Sequence, residues 1–192
     1  MTATFGFQTP WQRSPWRLLL WAIPTTLLLT PGVAMQYTHE VRWSAFDFGF
    51  AALLLYGTTA LIDLVMRKSG SWAFRLGVGV AVLTSFLLIW INGAVGFIGD
   101  EDNPANLLFI GVILLAVAGG ALARFAPRGM ARAMVAAALT TEAIAVLVLV
   151  SGWGAEDPPG TVGLVTLITA FAGLWLLSAG LFARAASHQA HG

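Results

Sequence analysis

The chain has 192 residues, 58% of them hydrophobic and 10% charged, with a mean hydropathy of +0.81. Soluble domains run about 45–50% apolar and about 25% charged, so this excess, gathered in blocks, excludes a water-soluble core and makes the lipid bilayer the natural solvent. The formal net charge of +1 gives no reason to expect a nucleic-acid partner, and the lack of cysteine excludes disulfides, thiolate-held zinc, iron–sulfur clusters and thiol nucleophiles.

Residues 1–15 read as a polar, proline-bearing cytoplasmic tail. A first span is expected over 16–35, with Pro24 inside it and Pro31-Gly32 near its end. A basic start, an apolar run and Gly32-Val33-Ala34 also fit a signal peptide. No soluble domain follows for export, so a membrane span is the expectation. After a polar loop holding His39, Glu40 and Arg42, a second span covers 48–66 and closes on Arg67-Lys68.

The third apolar run, 72–98, would be ~40 Å long as one helix, against a hydrocarbon core of ~30 Å. It must tilt, or its Gly93–Gly99 end must project or bend. Spans over 104–126, 131–153 and 161–186 follow, and residues 187–192 form a short cytoplasmic tail. The fold class is therefore an all-α integral membrane protein, six transmembrane helices in one bundle.

Lys and Arg gather in short cytoplasmic loops. With both termini inside, Arg13, Arg17, Arg67, Lys68, Arg75, Arg124, Arg128, Arg132 and Arg184 fall on the cytoplasmic side and only Arg42 falls outside. The acids Glu40, Asp47, Asp100, Glu101, Asp102, Glu156 and Asp157 mirror them on the outer side. Gly99-Asp100-Glu101-Asp102-Asn103-Pro104 and Gly154-Ala155-Glu156-Asp157-Pro158-Pro159 share the pattern G-x-E-D-x-P. Spans three-four and five-six are thus candidate parallel repeats, with one-two as a degenerate third hairpin. Any outer turn also needs acids, Gly and Pro.

Three groups of residues could carry chemistry. Asp100, Glu101 and Asp102 form an acidic outer mouth able to attract a cation, but the alternating spacing of a calcium loop is absent. Their competing role is structural: Asn103 or Asp102 caps the next helix, Pro104 fits its first position and the acids complement its positive end. Glu142 stands near the middle of span five, where a carboxyl is costly and is normally turned inward and paired, or protonated. Tyr56, Thr84, Ser85 and Thr169 lie at similar depth, and a path Asn92–Ser85–Glu142–Tyr56–Asp63 is conceivable. Asp63, one turn before Arg67 and within reach of Arg75, is better explained by a snorkelled ion pair.

Small residues on span four (Ala116, Gly119, Gly120, Ala123), on span six (Thr166, Thr169, Gly173, Gly180) and at Gly77 and Gly79 read as seams where helices approach closely. No phosphate-cradling loop, nucleophile elbow, metal motif or redox ligand set is present, so no catalytic residue, metal or cofactor is expected.

The stretch Val80–Ala131, above all W-I-N-G-A-V-G-F-I-G-D-E-D-N-P-A-N and the following A-R-F-A-P-R-G-M-A-R-A, resembles an uncharacterised family of small bacterial multi-spanning inner-membrane proteins. With a weaker likeness at Trp43 to Asp47, it covers a little under a third of the chain. The resemblance implies a bacterial inner-membrane location and carries no activity. Two functions remain open: a protein that binds or passes a cation or proton through the acidic mouth and Glu142, and a non-catalytic subunit or assembly factor of a larger membrane complex or homo-oligomer.

Overall fold

A computed structural model describes residues 15–68, 71–100, 102–154 and 159–190. These residues are all-α, without strands: α1 (Trp16–Tyr37), α2 (Ala45–Lys68), α3 (Trp72–Ala94), a 3-10 turn (Pro104–Asn106), α4 (Leu107–Leu122), α5 (Pro127–Ser151) and α6 (Gly160–Ala190). Six helices are long and apolar enough to cross a membrane, and the protein is a multi-pass membrane protein. Leu114, Val117, Leu139 and Leu177 are exposed, apolar side chains on the outer faces of such helices.

The contacts divide into two compact units, residues 1–70 and 71–192. In the first, α1 packs on α2. α1 runs through Pro24 and Pro31 without breaking, and the hydroxyls of Thr25, Thr26 and Thr30 donate to the carbonyls four residues back. α2 begins three residues before the apolar run because of a reciprocal cap. Ser44 N and Oγ donate to Asp47 Oδ2 at 2.7 and 2.8 Å, while Asp47 N donates back to Ser44 Oγ at 3.3 Å.

In the second unit α6 is central, packing on α5 along its length and on α3, while α4 packs on α5. α3 and α4 meet only slightly, whereas α5 and α6 form an intimate pair. The two expected repeat hairpins are therefore not built alike. Trp175, Phe109, Phe182, Leu88, Met134 and Ile168 fill the core. Phe97 is wedged between Phe109 and Phe171, at ring-centroid distances of 4.6 and 5.4 Å. Ser178 Oγ donates to Gly77 O at 2.8 Å, and Phe182 lies where a Gly77 side chain would stand.

α3 resolves its excess length by ending at Ala94. The Gly96 N–H returns to Ile91 O at 3.0 Å, Gly96 takes φ 72°, and the chain folds back to bury Phe97 and Ile98. The α4 seam packs as its small residues predict. A Cβ on Gly119 would stand 2.8 Å from Ala133 Cβ, and one on Gly129 would stand 2.2 Å from Ala123 Cβ. Between them Arg124 and Phe125 sit in the left-handed region, with φ 50° and 57°. Gly129→Ala should therefore lower the unfolding free energy by roughly 1–3 kcal/mol, the usual cost of overpacking, as read by thermal unfolding in detergent. On α6, by contrast, Thr166, Thr169, Gly173 and Gly180 lie on an exposed face, with nothing within 4 Å of a Cβ built on either glycine.

Candidate functional site

The segment from Trp90 to Leu107 is built around Asn106, which is 5% exposed. Its Oδ1 accepts from Phe97 N at 3.0 Å and Ile98 N at 2.9 Å, and its Nδ2 donates to Asp100 O at 2.7 Å and Ile98 O at 3.4 Å. A single amide thus satisfies backbone groups that the end of α3 leaves buried. Gly96 is required beside it: a Cβ there would stand 2.3 Å from Asp100 O and 2.8 Å from Asn106 Nδ2. Asn103 Oδ1 accepts from Ala105 N at 3.0 Å, capping the short turn that leads into α4. Asp100 therefore contributes its carbonyl to the fold, while the side chains of Asp100 and Asp102 face outward. Glu101, Glu156 and Asp157 lie outside the described residues. Among the described residues no three acids or histidines gather as a metal set.

Asn92 is buried in the last turn of α3. Its Nδ2 donates to Leu88 O at 2.6 Å, and its Oδ1 has no hydrogen-bond partner. Thr84, fully buried, and Ser85 bond back to their own helix at Val80 O and Ala81 O.

Glu142 is half-buried on α5, and its Oε2 accepts from Thr169 Oγ1 of α6 at 3.4 Å, a long contact to an exposed hydroxyl. The hydroxyls of the neighbouring Thr140 and Thr141 donate to Ala136 O and Ala137 O. Glu142 thus belongs to the open side of the α5–α6 pair, where Gly173 follows Thr169 by one turn, and the packed interior lies on the other side of these helices.

Tyr56 and Asp63 belong to the first unit. Tyr56 shares a 2.8 Å hydrogen bond with Thr25 and stacks on Trp21 at 6.3 Å. Asp63, 3% exposed, is held by two guanidinium groups. Arg67 meets it one helical turn on, as the spacing predicts. Arg17 of α1 closes a fork on it, Nε to Oδ1 at 3.0 Å and Nη2 to Oδ2 at 3.1 Å. Each residue of the expected path is thus engaged locally, with partners that lie outside the path: Leu88 for Asn92, Ala81 for Ser85, Thr169 for Glu142, Thr25 for Tyr56 and two arginines for Asp63.

Sequence reasoning overlooked Asn106 and Arg17. A second Asn three residues after the helix-capping one, following two glycines and a buried Phe-Ile pair, was the signal that could have found Asn106. For Arg17, 46 residues from Asp63, no local signal exists. Comparison of the chain with protein-family models, curated proteins and solved structures finds no match.

Proposed function

We propose that this protein is a non-catalytic subunit of a larger membrane complex, docking through the open α5–α6 face that carries Glu142. The observation that supports this is a carboxyl near the middle of a membrane span with one long hydrogen bond on an exposed strip. Such a group costs ~2.5 kcal/mol or more against lipid, a cost that a partner helix supplying a donor removes. Gly173, open at its Cβ position, lets that helix approach closely. The charge distribution supports an orientation with the arginine-rich ends cytoplasmic, and the resemblance carried by Val80–Ala131 implies a bacterial inner membrane.

Passage of a cation or proton has less support. Asp100 is tied through its carbonyl into a folded loop, Asp63 is neutralised by two arginines, and the α3–α6 interior is filled by Trp175, Phe109 and Phe182. Mild purification from native membranes should recover a stoichiometric partner, and Glu142→Leu should reduce that recovery roughly tenfold or more. Recovery of the native chain alone, or equal recovery with Glu142→Leu, overturns the reading. Purified protein in liposomes should pass no protons or cations beyond empty vesicles.

A further inference from the structure

The α5–α6 face has a second feature, at its arginine-bearing end. An open groove of about 450 Å³ lies between the helices, lined by Arg132, Val135, Leu176, Gly180 and Ala183. Its wall is apolar except at Arg132. Arg128 lies one helical turn earlier on α5, also exposed.

The two arginines differ from Arg17, Arg67 and Arg184. Arg17 and Arg67 are neutralised by Asp63, and Arg184 lies over the Trp72 ring at 5.2 Å. Neither Arg128 nor Arg132 makes a side-chain hydrogen bond or ion pair among the described residues. Both sit near the start of α5, a 25-residue helix with no acid in its first turn. Arg128 lies in that first turn, where the helix dipole is positive and the first amides lack intrahelical acceptors, so an anion is favoured there, and Arg132 adds a second positive charge one turn on.

We propose that this groove holds one acidic phospholipid, its phosphate on Arg128 and Arg132 and an acyl chain along Val135, Leu176, Gly180 and Ala183. The charge and the apolar wall together select the ligand. A free phosphate has no use for the groove, and an apolar helix has none for the paired arginines. Basic pockets between transmembrane helices recognise acidic headgroups in this way. The site is distinct from Glu142 and does not depend on a protein partner.

Native mass spectrometry of the full chain in detergent, titrated separately with phosphatidylglycerol and phosphatidylcholine of matched chains, tests the proposal. Each arginine should contribute about fivefold and the pair roughly 30-fold in favour of phosphatidylglycerol. Arg128→Gln with Arg132→Gln should bring the two lipids level, while Arg184→Gln and Glu142→Gln leave the preference intact. Gly180→Leu, with open space at its Cβ, should weaken retention of both lipids without lowering the melting temperature. Equal retention of the two lipids by the native chain overturns the proposal. So does a preference unchanged in the double variant, or a dimer of the chain that carries no lipid.

Discussion

Asn106→Leu is expected to be the most damaging single substitution in the α3–α4 connection. It strands the buried N–H groups of Phe97 and Ile98 and removes the donor to Asp100 O and Ile98 O. At about 1–3 kcal/mol for each buried group left unsatisfied, the two amides alone imply a loss of roughly 2–6 kcal/mol. Asn106→Asp keeps the acceptor but sets an oxygen against two carbonyls, so it should be destabilising as well. Asp100→Asn and Asp102→Asn should be nearly neutral, because their carboxyl groups face outward. Thermal unfolding in detergent, with hydrogen exchange at Phe97 and Ile98, separates these outcomes. A mouth that depends on its acids predicts the reverse order in any cation-binding assay, and a fold that depends on Asn106 predicts this order in stability.

The second large effect belongs to Asp63. Asp63→Ala leaves Arg17 and Arg67 facing one another without a counter-charge. Removing one partner of a fully buried pair costs about 3–5 kcal/mol, and an exposed pair is worth about 0–1. Asp63 is 5% exposed at its side chain but the arginines are 31% and 33% exposed, so a loss of roughly 2–3 kcal/mol lies between those limits. Arg17→Lys should recover only part of the Arg17 contribution, since an ammonium cannot reproduce the two-toothed contact. The coupling is read from a double-mutant cycle of Asp63→Asn with Arg17→Gln. A cycle that closes to zero contradicts the α1–α2 clasp.

The membrane class and the six spans were legible because apolar blocks of bilayer length leave few alternatives. The Asp63–Arg67 contact was legible from helical spacing, and Thr169 was already placed at the depth of Glu142. Which way Glu142 faces was not. In water a 3.6-residue pattern separates core from surface, but lipid is as apolar as a protein interior, so the lipid-facing and packed sides of α5 read alike. The acidic run drew attention to charged side chains, whereas the loop is held by the amide of Asn106, whose partners are backbone atoms brought near by Gly96 and Gly99. Hydropathy carries no trace of such a partner set. The α6 glycines were legible as a seam, but not that the seam is left open.

Docking through Glu142 and the open strip beside it is tested most directly by photo-cross-linking in native membranes. A photoreactive residue at Gly173 samples that strip, and one at Leu114 samples an exposed apolar position on α4, 62% accessible. Docking predicts a discrete protein adduct from position 173 whose yield falls in the Glu142→Leu background, with lipid adducts alone from position 114. Lipid adducts alone at both positions would contradict it.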